Sequence, residues 1–150
     1  MKYVLCYGDS NTWGCKPEDH ERYEFYERWP GIVQKDLGDE FRIYENGLNG
    51  RTTVFEDPIE EGRCGKEGFL YLLESCSPLD AVVIMLGTND CKLRFGMPAW
   101  DIGWGMDLLL QYVGKANCHT TVSYTHLDVY KRQVSYLVVP IIFSDITMVK

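Results

Sequence analysis

The chain has 150 residues, 45% of them hydrophobic and 25% charged, which is one domain's worth of sequence with enough apolar content for an ordinary core. Its formal net charge of -7, with no Lys/Arg cluster, excludes the basic face that nucleic acid or an anionic membrane surface rewards. No apolar run approaches the roughly 20 residues that a membrane span needs, and Tyr3 to Tyr7 is too short and poorly flanked for a signal peptide, so the expectation is a soluble, cytoplasmic protein.

The first element in chain order is Tyr3 to Tyr7, a short apolar run that ends at Gly8. Cys15 to Arg28, with Pro17 and many charges, reads as a surface loop. Trp29-Pro30 then opens a helix with Trp29, Val33 and Leu37 on one face, and Gly38 is placed to end it. Phe41 to Glu45 alternates imperfectly, as a strand near a sheet edge would. Arg51 to Gly65 reads as a second loop. Phe69, Leu72, Leu73 and Cys76 share one helical face, and Ala81 to Leu86 is an unbroken apolar run ending at Gly87. Pro98 opens a helix whose Ile102, Met106, Leu109 and Val113 form an apolar stripe, with Trp100, Trp104 and Tyr112 as a second stripe opposite. Continuous apolar strands alternating with helices predict a parallel sheet covered on both faces.

From about Cys118 the character changes. Val122-Ser123-Tyr124 recurs as Val134-Ser135-Tyr136, and no helical or strand period runs through Thr125 to Gln133. Residues 122–133 look like translated sequencing-adapter read-through. We therefore divide the chain into a natural domain over 1–117 and an atypical segment over 118–150. Within that segment Val138 to Phe143 is a further strand candidate, restricted by Pro140 to an edge or a strand end.

The six cysteines (Cys6, Cys15, Cys64, Cys76, Cys91 and Cys118) show no CxxC and no zinc-ligand spacing, and are read as reduced and structural. No metal and no cofactor is expected. The chain has neither GxGxxG nor GxxxxGK[ST] after a strand, which removes the phosphate-cradling loop that a nucleotide-binding module would need.

Three polar turns remain. Gly8-Asp9-Ser10-Asn11 follows the first strand, Asn49-Gly50-Arg51-Thr52 the second, and Gly87-Thr88-Asn89-Asp90 the third. Each alone is an ordinary turn or helix cap. In a parallel sheet, however, ligands bind outside the carboxyl ends of strands, and these turns carry Ser10, Gly50 and Asn89 to that edge together. Acyl transfer needs a nucleophile and donors aimed at the oxyanion that develops on the carbonyl. Ser10 supplies the first, and the Ser10 N–H, the Gly50 N–H and the Asn89 amide supply the second.

In this order the blocks resemble three of the four signatures of the SGNH (GDSL-like) hydrolase superfamily. Gly8 to Gly14, Gly47 to Thr53 and Ile84 to Asp90 look like its arylesterase/acyltransferase branch, and Asp57-Pro58 and Asp101 to Met106 fit that branch too. The resemblance covers about residues 1–116. It implies a flavodoxin-like three-layer α/β/α sandwich, here C-terminally truncated. It also implies cleavage of small carboxylic esters through an acyl-Ser10 intermediate, and homo-oligomers in the intact parent. The fourth block departs. The family carries Asp-x-x-His near its C-terminus, whereas Pro17, Ala116 and Ser123 stand three residues before His20, His119 and His126. The general base is missing, so an impaired enzyme or a non-catalytic fragment is expected. Trp13 is either a pocket wall beside Ser10 or plain packing. Asp9 and Asp90 are read as structural hydrogen-bonding groups rather than a metal pair.

Overall fold

The structure is a computed structural model that describes residues 1–116 and the backbone of 135–138. Strand β1 (Lys2–Gly8) is buried from Val4 onward and is paired on both edges. It leads into a one-turn helix, α1 (Ser10–Trp13), then a loop carrying an isolated bridge between Cys15 and Arg22, and helix α2 (Trp29–Leu37). Pro30 sits in the first turn of α2 and Gly38 closes its end, as the sequence predicted. Strand β2 (Phe41–Gly47), helix α3 (Phe69–Ser75), strand β3 (Ala81–Met85) and helix α4 (Ala99–Lys115) follow.

The sheet order is β2-β1-β3-β4, with β4 spanning Ser135–Val138, and every pairing is parallel. The expected truncation after the third strand therefore does not leave β3 at an edge. Ala81 to Ile84 pair with Ser135 to Val138, a strand that begins three residues before the run singled out from the sequence. Pro140 and the rest of that run lie outside the described residues.

Both faces of the sheet are covered. Leu5, Tyr7, Val82 and Ile84 point toward α3 and α4, where Phe69, Leu73, Leu109 and Val113 complete a fully buried cluster. Tyr7 and Phe69 lie with ring centroids 4.3 Å apart. Cys6 and Glu45 share the opposite face, beside Arg28 at the start of α2. Burial pushes the Cys6 thiol up to about 12, so it is an inert core group. The five described cysteines are all free.

Helix α4 turns its Leu109–Val113 stripe inward, and Gly105 joins it. A Cβ at Gly105 would sit 2.5 Å from Thr53 Oγ1, so only glycine lets this helix close on the 51–54 loop. Trp100 and Trp104 are 68% and 61% exposed and meet edge to face at 5.3 Å, on the side away from the core. Tyr112 departs from the expected second stripe and packs against the core. No helix among the described residues is long and apolar enough to cross a membrane.

Truncating Leu5, fully buried in the central strand, deletes buried methyl groups and leaves a cavity. Leu5→Ala should lower unfolding free energy by about 2–5 kcal/mol, read from the denaturant midpoint at unchanged slope.

Candidate active site

The register makes the three strand ends level. Gly8 lies opposite Gly47 on one side and Met85 on the other. The turns after β1, β2 and β3 therefore leave the sheet side by side at its carboxyl edge, bringing Ser10, Gly50 and Asn89 to that edge.

Ser10 is the first residue of α1. The helix cap belongs to Asp9, whose Oδ1 accepts from the Asn11 N–H at 2.9 Å and from Asn11 Nδ2 at 3.1 Å. The turn thus does cap a helix, but through Asp9, and Ser10 is not the capping residue. Asp9 is fully buried and its second oxygen has no partner among the described residues. Burial raises its pKa against the lowering effect of the Asn11 donors.

After β2 the chain turns back sharply. The Leu48 N–H donates to the Gly8 carbonyl at 3.0 Å and the Arg51 N–H to the Leu48 carbonyl at 3.1 Å. Gly50 has φ +80°, in the left-handed region that favours glycine. A Cβ there would also stand 3.1 Å from Glu60 Oε2.

Asn89 opens a 3-10 turn over Asn89–Cys91 after β3. Its Nδ2 donates to the Arg51 carbonyl at 3.0 Å, which uses one of the two amide hydrogens and orients the other. Asp90 is fully buried and accepts the Thr53 N–H at 3.0 Å and the Thr53 hydroxyl at 2.6 Å. It is a structural hydrogen-bonding group. Among the described residues no cluster of three His, Cys, Asp or Glu could hold a metal ion.

Sequence reasoning missed two residues. Thr53 ties the second turn to the third through Asp90. Arg51 reaches further: its Nη1 donates to the Gly8 carbonyl at 2.9 Å and the Asn46 carbonyl at 2.7 Å, its Nη2 donates to Asn46 Oδ1 at 3.0 Å, and the guanidinium lies 4.1 Å over the Tyr7 ring. An arginine between the turn glycine and the two threonines was the available signal.

The 51–65 loop is fastened a second time by charge. Asp57 accepts Arg94 Nε at 3.2 Å and the N–H groups of Ile59 and Glu60 at 3.0 and 3.2 Å, with Lys92 at 3.7 Å. Its carboxyl is held well below the usual range, chiefly by Arg94. Trp13 lies under Arg22, whose guanidinium is 5.0 Å from the ring and whose Nε donates to the Trp13 carbonyl at 2.7 Å. Arg22 and Arg28 both bond Glu45, at 2.6 and 2.8 Å, so Trp13 takes part in packing the 15–28 loop. His20, the one histidine among the described residues, is exposed in that loop with φ +62° and its Nδ1 4.0 Å from Cys15 Sγ. His119 and His126 lie outside the described residues.

A parallel α/β sandwich with serine, glycine and asparagine turns level at its carboxyl edge defines the SGNH class of fold. The chain belongs to the GDSL-like lipase/acylhydrolase family, whose profile matches residues 6–143. Among solved structures it is similar to the native aryl esterase of M. smegmatis, with 36% identity and TM-score 0.78 over 92% of this chain and 63% of that one. A carbohydrate acetylesterase from Sinorhizobium meliloti is 41% identical, with TM-score 0.74 over 75% of this chain and 54% of that one. A second carbohydrate acetylesterase family member from Sinorhizobium meliloti is 33% identical, with TM-score 0.79 over 92% and 62%. The chain thus spans 54% to 63% of the length of these relatives. No curated protein matches.

The two carboxylates Asp57 and Asp9 should respond to pH with opposite sign. Asp57 has a lowered folded pKa, so its stabilisation is present above the unfolded value near 4 and fades as pH falls. Asp57→Asn should melt below the parent at pH 7, with the gap closing in acid. Asp9 has a raised folded pKa, so its ionised form costs stability as pH rises. Asp9→Asn keeps the cap and should melt at or above the parent at pH 7, with the difference vanishing in acid. Melting curves from pH 3 to 8 check both.

Proposed function

We propose that the parent of this chain hydrolyses small carboxylic esters without metal or cofactor, through an acyl-Ser10 intermediate. Ser10 Oγ adds to the ester carbonyl carbon while a base takes its proton. The oxyanion is met by the Ser10 N–H, the Gly50 N–H and the free hydrogen of the Asn89 amide. The alcohol leaves with a proton, and water then releases the acid. The observation that supports this reading is the level register of Gly8 with Gly47 and Met85, which carries the three turns to one edge. Small acyl groups are inferred because the similar structures are an aryl esterase and carbohydrate acetylesterases. Trp13 is proposed as a wall of the substrate pocket. The domain boundary near residue 117 rests on the change of sequence character there.

The base is the missing part. The chain has no Asp-x-x-His, so triad loss should leave only what the oxyanion donors and binding supply. Turnover of p-nitrophenyl acetate should be orders of magnitude slower than in an intact relative, and Ser10→Ala should change that small remainder little. Robust turnover lost in Ser10→Ala would mean that another base serves, and His126→Ala would then identify it. Turnover no faster than the uncatalysed reaction would favour the second reading, a non-catalytic fragment, which the absent Asp-x-x-His supports.

With a natural C-terminus restored, Asn89→Ala should lower kcat by about 10²–10³-fold with KM little changed. A loss confined to KM would remove Asn89 from the oxyanion hole.

A further inference from the structure

Three donors on three separate turns can serve one oxyanion only if something holds the turns at a fixed spacing. Backbone ladders stop at Gly8, Gly47 and Met85; beyond them a main-chain bond from the Leu48 N–H to the Gly8 carbonyl still joins the first two turns, and the rest of the spacing depends on side chains. Arg51 touches all three turns. Its guanidinium bonds the carbonyl of Gly8, two residues before Ser10, and both oxygens of Asn46 at the end of β2. Its main chain follows Gly50 directly, and its carbonyl holds the amide of Asn89 at 3.0 Å. Tyr7 supports the guanidinium from below, and Tyr7 is itself fixed by its hydroxyl donating to the Gly65 carbonyl at 2.8 Å.

We propose that Arg51 is a positioning residue that holds the Ser10, Gly50 and Asn89 donors in register, an inference that rests on the oxyanion-hole reading above. It does not touch the reacting atoms. A lysine cannot replace it. One ammonium cannot reach acceptors on two strands through two nitrogens while lying flat over an aromatic ring, whereas the planar guanidinium does both. Displacement of a donor by about 1 Å costs on the order of 10²-fold in rate, so loosening the clamp should be read in reactivity before it is read in stability.

Arg51→Lys tests this with two readouts. Amide hydrogen exchange in the full 150-residue chain uses one reporter at each turn: Trp13, bonded to the Asp9 carbonyl; Leu48, bonded to the Gly8 carbonyl; and Lys92, bonded to the Asn89 carbonyl. All three should exchange at least about tenfold faster in the variant, while Leu72 in α3 is unchanged. With a natural C-terminus restored, stoichiometric labelling of Ser10 by a fluorophosphonate, followed by mass spectrometry, should be about tenfold to a hundredfold slower in the variant than in its parent. Asn46→Ala, which removes one guanidinium acceptor and leaves Arg51 in place, should shift both readouts in the same direction by less, and stands in if Arg51→Lys fails to fold. Faster exchange confined to Leu48, or labelling within twofold of the parent, would overturn the proposal. If the parent's Ser10 is not labelled above the Ser10→Ala control, the nucleophile reading fails, and the exchange pattern alone then decides whether Arg51 couples the three turns.

Discussion

Strand β1 is paired in parallel on both edges, and the placement of every candidate functional residue depends on that double pairing. Because Gly8 is level with Gly47 and with Met85, the segments after β2 and β3 leave the sheet one strand spacing to either side of the segment after β1. A slip of one residue in either ladder would exchange the faces of the whole strand. Leu5 and Tyr7 would then leave the α3–α4 core and Cys6 would enter it. The burial of these side chains and the alignment of the turns are thus one constraint, enforced by the same apolar contacts.

Beyond the sheet the organisation is polar. The long loop after β2 carries no regular element before α3, yet it is held at several points. Thr53 bonds the buried Asp90, the Thr52 N–H and the Arg63 carbonyl close across the loop at 2.9 Å, and Asp57 gathers Arg94 and two backbone N–H groups. A buried carboxylate without donors would cost far more than an exposed one. The groups that satisfy Asp90 and Asp57 lie on different segments, so satisfying them pulls those segments together. Gly105 belongs to the same arrangement, because α4 closes on Thr53 only where no side chain intervenes.

The 15–28 loop is anchored differently, from the face of the sheet opposite the main core. Arg22 and Arg28 converge on Glu45, the β2 residue level with Cys6. Arg28 and Glu45 are nearly buried, which makes this pair a stronger tether than the exposed Lys16–Glu21 pair in the same loop. Arg22 also covers Trp13, so the segment that leaves Ser10 is steadied by contacts with β2 as well as by its own cap.

The local elements were legible in the sequence because their signals are local. Unbroken apolar runs marked β1 and β3 as strands covered on both faces, Pro30 and Gly38 bracketed α2, imperfect alternation marked β2 as the edge strand, and the ordered serine, glycine and asparagine turns marked the family. Tertiary structure alone decided the rest. Trp100 and Trp104 face away from the core while Tyr112 folds against it, because a helix with two apolar stripes does not announce which neighbours it meets. The described strand beside β3 is Ser135–Val138, which overlaps the apolar candidate at Val138 but begins before it, since pairing depends on register with β3 and not on hydropathy alone. Arg51 is the clearest case. Its partners Gly8 and Asn89 are 43 and 38 residues away, and no spacing rule in a linear sequence connects a guanidinium to a carbonyl that only a parallel sheet brings beside it.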